Sequence, residues 1–407
     1  MPPATTDMLD QLKKTETPPG KQMQLQTITM QQLSIYIYKT KNNASAGADS
    51  INGTVLRDIF PLIKQTLLHL VNLSLSTGCF PQIFKETKII PQCKIGKDPL
   101  LVESYRPVCN LSVIGKILER AMFNHHGGRA GHSTSTCLLG ILEKVNQAKE
   151  NKMCVAILAT DLSSAFDLCC HSLMKEKCRL LKIGEDGLNW LSNFLNNRTQ
   201  YVDLGGGKST SLKTGDYGVI QGSPSSGELF NYFLNDLPDQ VKTATEKTPI
   251  QEQQDSASDG FVDDLSVVSQ GKNQVELMAR VKQDYHKIEE YLINNKMVIN
   301  PAKTQLMTIK ANNIDPNVSF NIRDDIIHNQ QSIKILGVTL TSELTFDEHL
   351  WQGKKSMAKV LNTKISLLKT VKPFLSTKTM ANVGASMINS TISYASAVWG
   401  TTTQQNI

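Results

Sequence analysis

The eight cysteines of this 407-residue chain never fall in C-x-x-C spacing, and none pairs in sequence with the eight histidines. A zinc module or a disulfide framework needs such spacing, so both are disfavoured and reduced, intracellular thiols are expected. Long apolar runs are also missing: no stretch approaches the roughly 20 residues of a membrane helix. Met1 to Lys14 lacks the apolar core of a secretion signal. A phosphate-binding loop is absent too. Gly205-Gly206-Gly207-Lys208-Ser209-Thr210 comes near G-x-x-x-x-G-K-S/T, but the pattern needs glycine where Val202 stands. Gly215 and Gly218 follow in place of a helix pattern, so a glycine-rich hairpin is expected there.

Net charge is a modest +6, unevenly spread. Residues 79–152 carry eleven Lys/Arg against six Asp/Glu, and residues 346–407 carry seven against two. Each region is therefore net +5, on either side of a more acidic centre. Basic flanks around carboxylates suit a nucleic-acid groove, although lysine-rich surfaces also serve solubility alone.

Several elements can be read from spacing. Val55 to Leu75 has apolar residues at helical intervals and is stopped by Gly78, with Pro81 beyond. Gly184 to Asn197 predicts a helix bearing Trp190, Phe194 and Leu195. Val281, Tyr285, Ile288 and Leu292 form the seam of an amphipathic helix over Asn273 to Asn294. Thr243 to Asp259 is polar and reads as a loop. From Phe346 the pattern is helical again, with Met357, Val360, Leu361, Ile365 and Leu368 on one side. Met1 to about Lys41, rich in Gln, Thr, Lys and Pro, is expected to lack stable structure.

Asp263 and Asp264 are adjacent, between Phe261-Val262 and the apolar run Leu265 to Val268. Two apolar runs around a polar break predict a tight hairpin with paired negative charge at its tip. Such charges repel, which points to a multivalent cation nearby. Asp161 lies just past Val155 to Ala159, a continuous apolar run typical of a strand buried on both faces. Each has a plainer reading alone. Aspartates bond their own backbone in ordinary turns, and Asp161 could cap a following helix in competition with Ser163 or Ser164. Together, an acid where a buried strand emerges and a doublet on a hairpin make the donor set of a two-metal phosphoryl-transfer site.

The stretch Asp161-Leu162-Ser163-Ser164-Ala165-Phe166-Asp167 resembles motif A of reverse transcriptases from non-LTR (LINE-type) retrotransposons. Gln221-Gly222-Ser223-Pro224, then Leu229-Phe230 and Asn235-Asp236-Leu237-Pro238, resembles their motif B. Phe261 to Asp264 resembles motif C, Asn300-Pro301-Ala302-Lys303-Thr304 motif D, and Ile335-Leu336-Gly337-Val338 motif E. Upstream, Phe80-Pro81 to Pro91, Ser104 to Pro107 and Arg129 to Thr134 are similar to the fingers motifs. Each is weak alone; their order along the chain is the family's.

The resemblance implies an α+β right-hand polymerase fold. Its palm, a small antiparallel sheet backed by helices, would occupy residues 151–345, with fingers over 44–150 and a truncated, helical thumb over 346–407. The reverse transcriptase domain would span about 75–342, and residues 1–43 would be a poorly ordered tail. The implied activity is RNA-directed DNA polymerisation: a primer 3′-hydroxyl is extended with dNTPs on an RNA template, with no membrane involved. Two Mg²⁺ ions, replaceable by Mn²⁺, are implied, bridged by Asp161 and Asp263, supported by Asp264 and further bound by the Leu162 carbonyl. Lys303 would protonate pyrophosphate, since a lysine ammonium can act as a general acid. Phe166 would stack beneath the sugar and exclude a 2′-hydroxyl. Gln221-Gly222 would let backbone approach template and nucleotide, and Lys88 and Arg106 would hold the triphosphate. Without the motifs these residues read as a core phenylalanine on a first helical turn, a turn dipeptide and surface cations.

The chain departs from the family between Arg120 and Arg129, where only Ala121 to Gly128 replace a longer helical insertion. Gly127-Gly128-Arg129 keeps part of the usual G-F-R. A missing fingers segment is expected to weaken template grip, which leaves open a catalytically inactive nucleic-acid-binding remnant of the same fold. A third reading, an NTP hydrolase, rests on the rejected Gly205–Thr210 loop. With no endonuclease part before the motifs and no Cys/His knuckle after them, a fragment or decayed copy of a longer polyprotein is expected.

Overall fold

A computed structural model describes residues 7–18, 20–41, 45–123, 133–237, 256–261, 264–309, 314–322, 325–353 and 355–400, with residues 7, 256–261 and 264 described by their backbone alone. Among the described residues, helices are interspersed with β1 (Glu86–Cys93), β2 (Tyr105–Asn110), β3 (Cys154–Asp161), β4 (Thr199–Val202), β5 (Leu212–Lys213) and β6 (Ser256–Phe261). Then come β7 (Asp264–Gly271), β8 (Gln305–Thr308), β9 (Ser319–Ile322), β10 (Asp325–His328), β11 (Ser332–Ile335) and β12 (Val338–Thr341). This mixture of helix and sheet agrees with the α+β expectation. The chain divides into two compact units, one of Met1–Ala130, Ser164–Asp236 and Leu292–Met297, the other of Gly131–Ser163, Leu237–Tyr291 and Val298–Ile407.

The first unit is built around the helix Gly53–Thr77, which has the expected span. Asn52 caps its start, its side chain accepting from the Val55 N–H at 2.8 Å, and Gly78 ends it in the left-handed region at φ 63°. Against it lies the helix Glu185–Leu195. Trp190 donates its indole N–H to Ser74 Oγ at 3.0 Å and stacks on Phe194 with ring centroids 5.3 Å apart. Phe80 meets Trp190 edge-on at 5.4 Å. The sheet of this unit runs β2-β1-β4-β5, with β1 antiparallel to β2 and parallel to β4. Gly205 to Thr210 lies in the connection from β4 to β5, bridged at Asp203 and Lys208, as the hairpin reading expects.

The expectation that residues 1–43 lack structure fails over most of that stretch. Helices form over Asp7–Lys14 and Met30–Lys39, the second opened by a capping box of Thr29 and Gln32. Ile28, Leu33, Tyr36 and Ile37 are buried. Asn72 grips the Ile28 backbone through both its N–H and its carbonyl, and Met23 pairs with Ile183 in a parallel bridge. A polar average concealed a few apolar residues at helical spacing, and tertiary backbone bonds supply the rest. Residues 1–6 and 42–44 lie outside the described residues.

The second unit carries an antiparallel sheet in the order β6-β7-β3-β8. Val155 and Ile157 of β3, Val268 of β7 and Met307 of β8 pack with Leu138, Ile141 and Val145 of the helix Thr134–Glu150. The hairpin β11–β12 adds Ile333, Ile335, Val338 and Leu340 to the same core. On the helix Gln274–Asn294 the expected seam residues Val281, Tyr285, Ile288 and Leu292 are all buried. One expectation needs correction. Ser256 to Asp259, read as loop, already belong to β6 and pair with Ser266 to Ser269. As an edge strand, β6 is held by main-chain bonds and needs no apolar sequence. The helix expected around Met357 to Leu368 is present as Met357–Val371; of its apolar row Leu368 is buried, while Val360 and Ile365 are exposed. No helix among the described residues is long and apolar enough to cross a membrane.

Candidate active site

In the second unit β3 pairs with β7 from Cys154↔Gly271 through Asp161↔Asp264. Directly opposed residues of antiparallel strands have Cα atoms about 4.5–5.5 Å apart, so two of the three expected acids face each other where the pair ends. β6 pairs with β7 up to Phe261↔Asp264, so the two strands of the expected hairpin are present, but Asp264 belongs to β7 and not, as expected, to the tip. Asp263 and the side chain of Asp264 lie outside the described residues. Among the described residues no three His, Cys, Asp or Glu side chains cluster as a metal cage. The oxygen-only donors of the expected set are of the hard kind that suits Mg²⁺.

Asp161 does not cap a helix. Turns follow it, Ser164 has φ 49°, and the next helix begins at His171. The following segment is instead tied to the stretch before Lys303. Leu162 bridges Ile299, flanked by Ser163 N–H donating to the Val298 carbonyl and Asn300 N–H donating to the Asp161 carbonyl, both at 2.9 Å. In this arrangement Leu162's own carbonyl takes no part in the bridge. Asn300 then opens a single 3₁₀ turn, Pro301–Lys303. That turn delivers Lys303 Nζ to 2.6 Å from Asp161 Oδ2, with side-chain exposures of 63% and 23%.

The first unit holds the other expected residues. Phe166 is half-buried and stacked on Phe230, with centroids 5.0 Å apart and planes 24° from parallel. It belongs to a turn and not to a first helical turn. Gln221 donates from Nε2 to Asp167 Oδ1 at 3.2 Å. Gly222 has φ 90°, and a Cβ there would come within 3.3 Å of the Cys109 carbonyl oxygen, so the sequence needs glycine here. Lys88 already has a carboxylate partner, Asp203, at 2.7 Å. That hydrogen bond raises the lysine's pKa and lowers the aspartate's. Arg106 is exposed on β2, opposite Gln92, while Lys88 is opposite Asn110. Both cations therefore share one face of the sheet, four residues or about 13 Å apart along it.

One acid escaped the sequence reading. Glu119, in the helix Val113–Phe123, is 1% exposed and is reached by the hydroxyls of Ser223 and Ser225. Burial pushes its carboxyl up, while those hydroxyls and the Arg198 charge pull the other way. Arg198 is buried too, its guanidinium 5.1 Å over the Phe194 ring, and burial pushes it down to about 10. The available signal was an acid among Ile117, Leu118, Ala121 and Met122 together with the closely spaced serines past Gly222.

The sequence model of the family described as reverse transcriptase (RNA-dependent DNA polymerase) matches residues 94–340. The RNA-directed DNA polymerase from mobile element jockey of Drosophila melanogaster is 28% identical over 402 residues, covering 95% of this chain and 43% of that protein. The probable RNA-directed DNA polymerase from transposon BS of the same fly is 24% identical, covering 89% and 42%. The putative 115 kDa protein in type-1 retrotransposable element R1DM, also from that fly, is 23% identical, covering 91% and 36%. The chain thus spans less than half the length of these relatives. With the match extending over more than half of its residues, and taking in the paired strands that carry Asp161 and Asp264, the chain belongs to the reverse transcriptase family, alongside proteins of non-LTR retrotransposons.

Proposed function

We propose that this chain is an RNA-directed DNA polymerase, extending the 3′-hydroxyl of a DNA primer on an RNA template with dNTPs. The observation that carries this reading is the register setting Asp161 against Asp264, with Asp263 one residue back along the chain. In this reading residues 151–345 are the palm, 44–150 the fingers and 346–407 a thumb-like segment. Asp161, Asp263, Asp264 and the Leu162 carbonyl would hold two Mg²⁺ ions, which when bound stabilise the attacking and leaving oxygens.

The chain's own residues do the rest. Lys303, poised on Asp161, offers its ammonium proton to the departing pyrophosphate. Phe166, stacked on Phe230, would lie beneath the nucleotide sugar and exclude a 2′-hydroxyl. The backbone at Gly222, without a side chain, lets nucleotide and template approach. Arg106 presents a planar fork to phosphate oxygens, and Lys88 exchanges Asp203 for phosphate when the nucleotide arrives.

Primer extension on poly(rA)/oligo(dT) with Mg²⁺, comparing the chain with Asp263→Asn, tests the reading. Metal-dependent extension lost in the variant is the expected result. Template binding without extension would instead favour an inactive nucleic-acid-binding remnant, which the short Ala121 to Gly128 segment suggests. Residues 124–132, which hold most of that segment and Arg129, lie outside the described residues.

A further inference from the structure

Glu119 is a carboxylate buried on a helix whose neighbouring inward residues are Ile117, Leu118, Ala121 and Met122. Such a group is costly to strip of water and persists where donors replace the lost solvent. The donors come from one turn, Ile220 to Ser226. Ser223 Oγ bonds the carboxylate, Ser225 Oγ donates to Glu119 Oε2 at 2.8 Å, and the two hydroxyls lie 3.0 Å apart. The Ser225 N–H donates to Ser223 Oγ at 3.3 Å, tying the two serines together. On the other side of the turn Ser226 Oγ donates to the Ile220 carbonyl. Ser223, Ser225 and Ser226 are buried, whereas Gly222 and Pro224 are exposed and Gln221 is half-buried. The segment thus anchors by its serines and displays the residues between them.

We propose that Glu119 is a positioning residue for the Gln221-Gly222 turn: by holding Ser223 and Ser225 it fixes where the Gly222 backbone meets nucleotide and template. A glycine with positive φ is the least constrained point of the chain, and a bond network on one carboxylate beside it removes that freedom. The consequence for nucleotide binding rests on the polymerase reading; the clamp itself does not.

Hydrogen exchange of residues 218–226 in the whole chain, run beside dTTP titrations of primer extension, tests the proposal. Glu119→Ala and the pair Ser223→Ala/Ser225→Ala should each speed exchange in this turn by about tenfold, with the helix Gly53–Thr77 unchanged. Glu119→Gln keeps an acceptor and should restore most of the protection, which also serves if the alanine variant fails to fold. In the extension assay the KM for dTTP should rise about tenfold in the first two variants, with a smaller change in kcat, and recover with glutamine. Unchanged exchange in the turn overturns the clamp. Exchange rising equally in the Gly53–Thr77 helix, or kcat falling with KM constant, makes Glu119 merely structural and also overturns it. A wild-type chain that never extends primers sinks the polymerase reading, and exchange alone then decides the clamp.

Discussion

Asp161 and Lys303 meet in the open, with more than half of the lysine side chain in solvent. An exposed pair of this kind contributes about 0–1 kcal/mol, so stability gives little reason for it. Lys303→Ala should therefore leave the melting temperature nearly unchanged while lowering the single-turnover extension rate by about 10²-fold. Lys303→Arg should recover little, because guanidinium holds its proton too firmly to give it up. Equal losses of rate and of melting temperature would contradict this role. At the same scale Asp161 was legible because a run of five apolar residues announces a buried strand whose end must be special. Glu119 was not. A glutamate between Leu118 and Arg120 reads as the solvent side of a helix, and only the folded chain brings Ser223 and Ser225 to it.

Among the elements, the helix Gly53–Thr77 declared itself through periodicity and its Gly78 stop, while its Asn52 cap emerged only in the fold. Gly78 carries the weight at its far end: at φ 63°, an added Cβ would lie 3.3 Å from Asn189 Cβ and from the Asp186 carbonyl oxygen. Gly78→Ala should cost about 1–2 kcal/mol, seen as a lower urea midpoint with unchanged slope. An unchanged midpoint would mean that the left-handed cap is dispensable. The strand β6 and the helix Met30–Lys39 show why other elements stayed hidden. Serines and an aspartate make β6 look like a loop, yet an edge strand draws its hold from the backbone of β7. In Met30–Lys39 the burial of Leu33, Tyr36 and Ile37 is diluted by glutamine and lysine neighbours, and the Asn72 grip on Ile28 comes from residues far along the chain. Leu33→Ala should cost about 2–5 kcal/mol if this segment docks as described, and almost nothing if it is loose.

The molecule as a whole should lose stability in alkali. Burial pushes the thiol of Cys109 up from an ordinary 9.0 to about 11, and those of Cys169 and Cys178 to about 12. A raised folded pKa means that the native state keeps its proton longer than the unfolded chain does. This contribution is therefore complete below pH 9 and is lost as pH rises towards 12. Buried cations act in the opposite sense, Arg198 among them, so the comparison to make is between variants. Denaturant midpoints followed from pH 8 to 10 should fall less steeply in Cys169→Ala/Cys178→Ala than in the parent. Parallel curves would place these thiols in contact with water when folded. One feature of the whole chain reaches further. Because each compact unit is assembled from three separated stretches, a single scission anywhere between residues 131 and 297 yields two fragments, neither with a complete unit. Hybrids made with relatives must accordingly exchange all three stretches of a unit together, since a one-point crossover in that interval would join mismatched interiors in both.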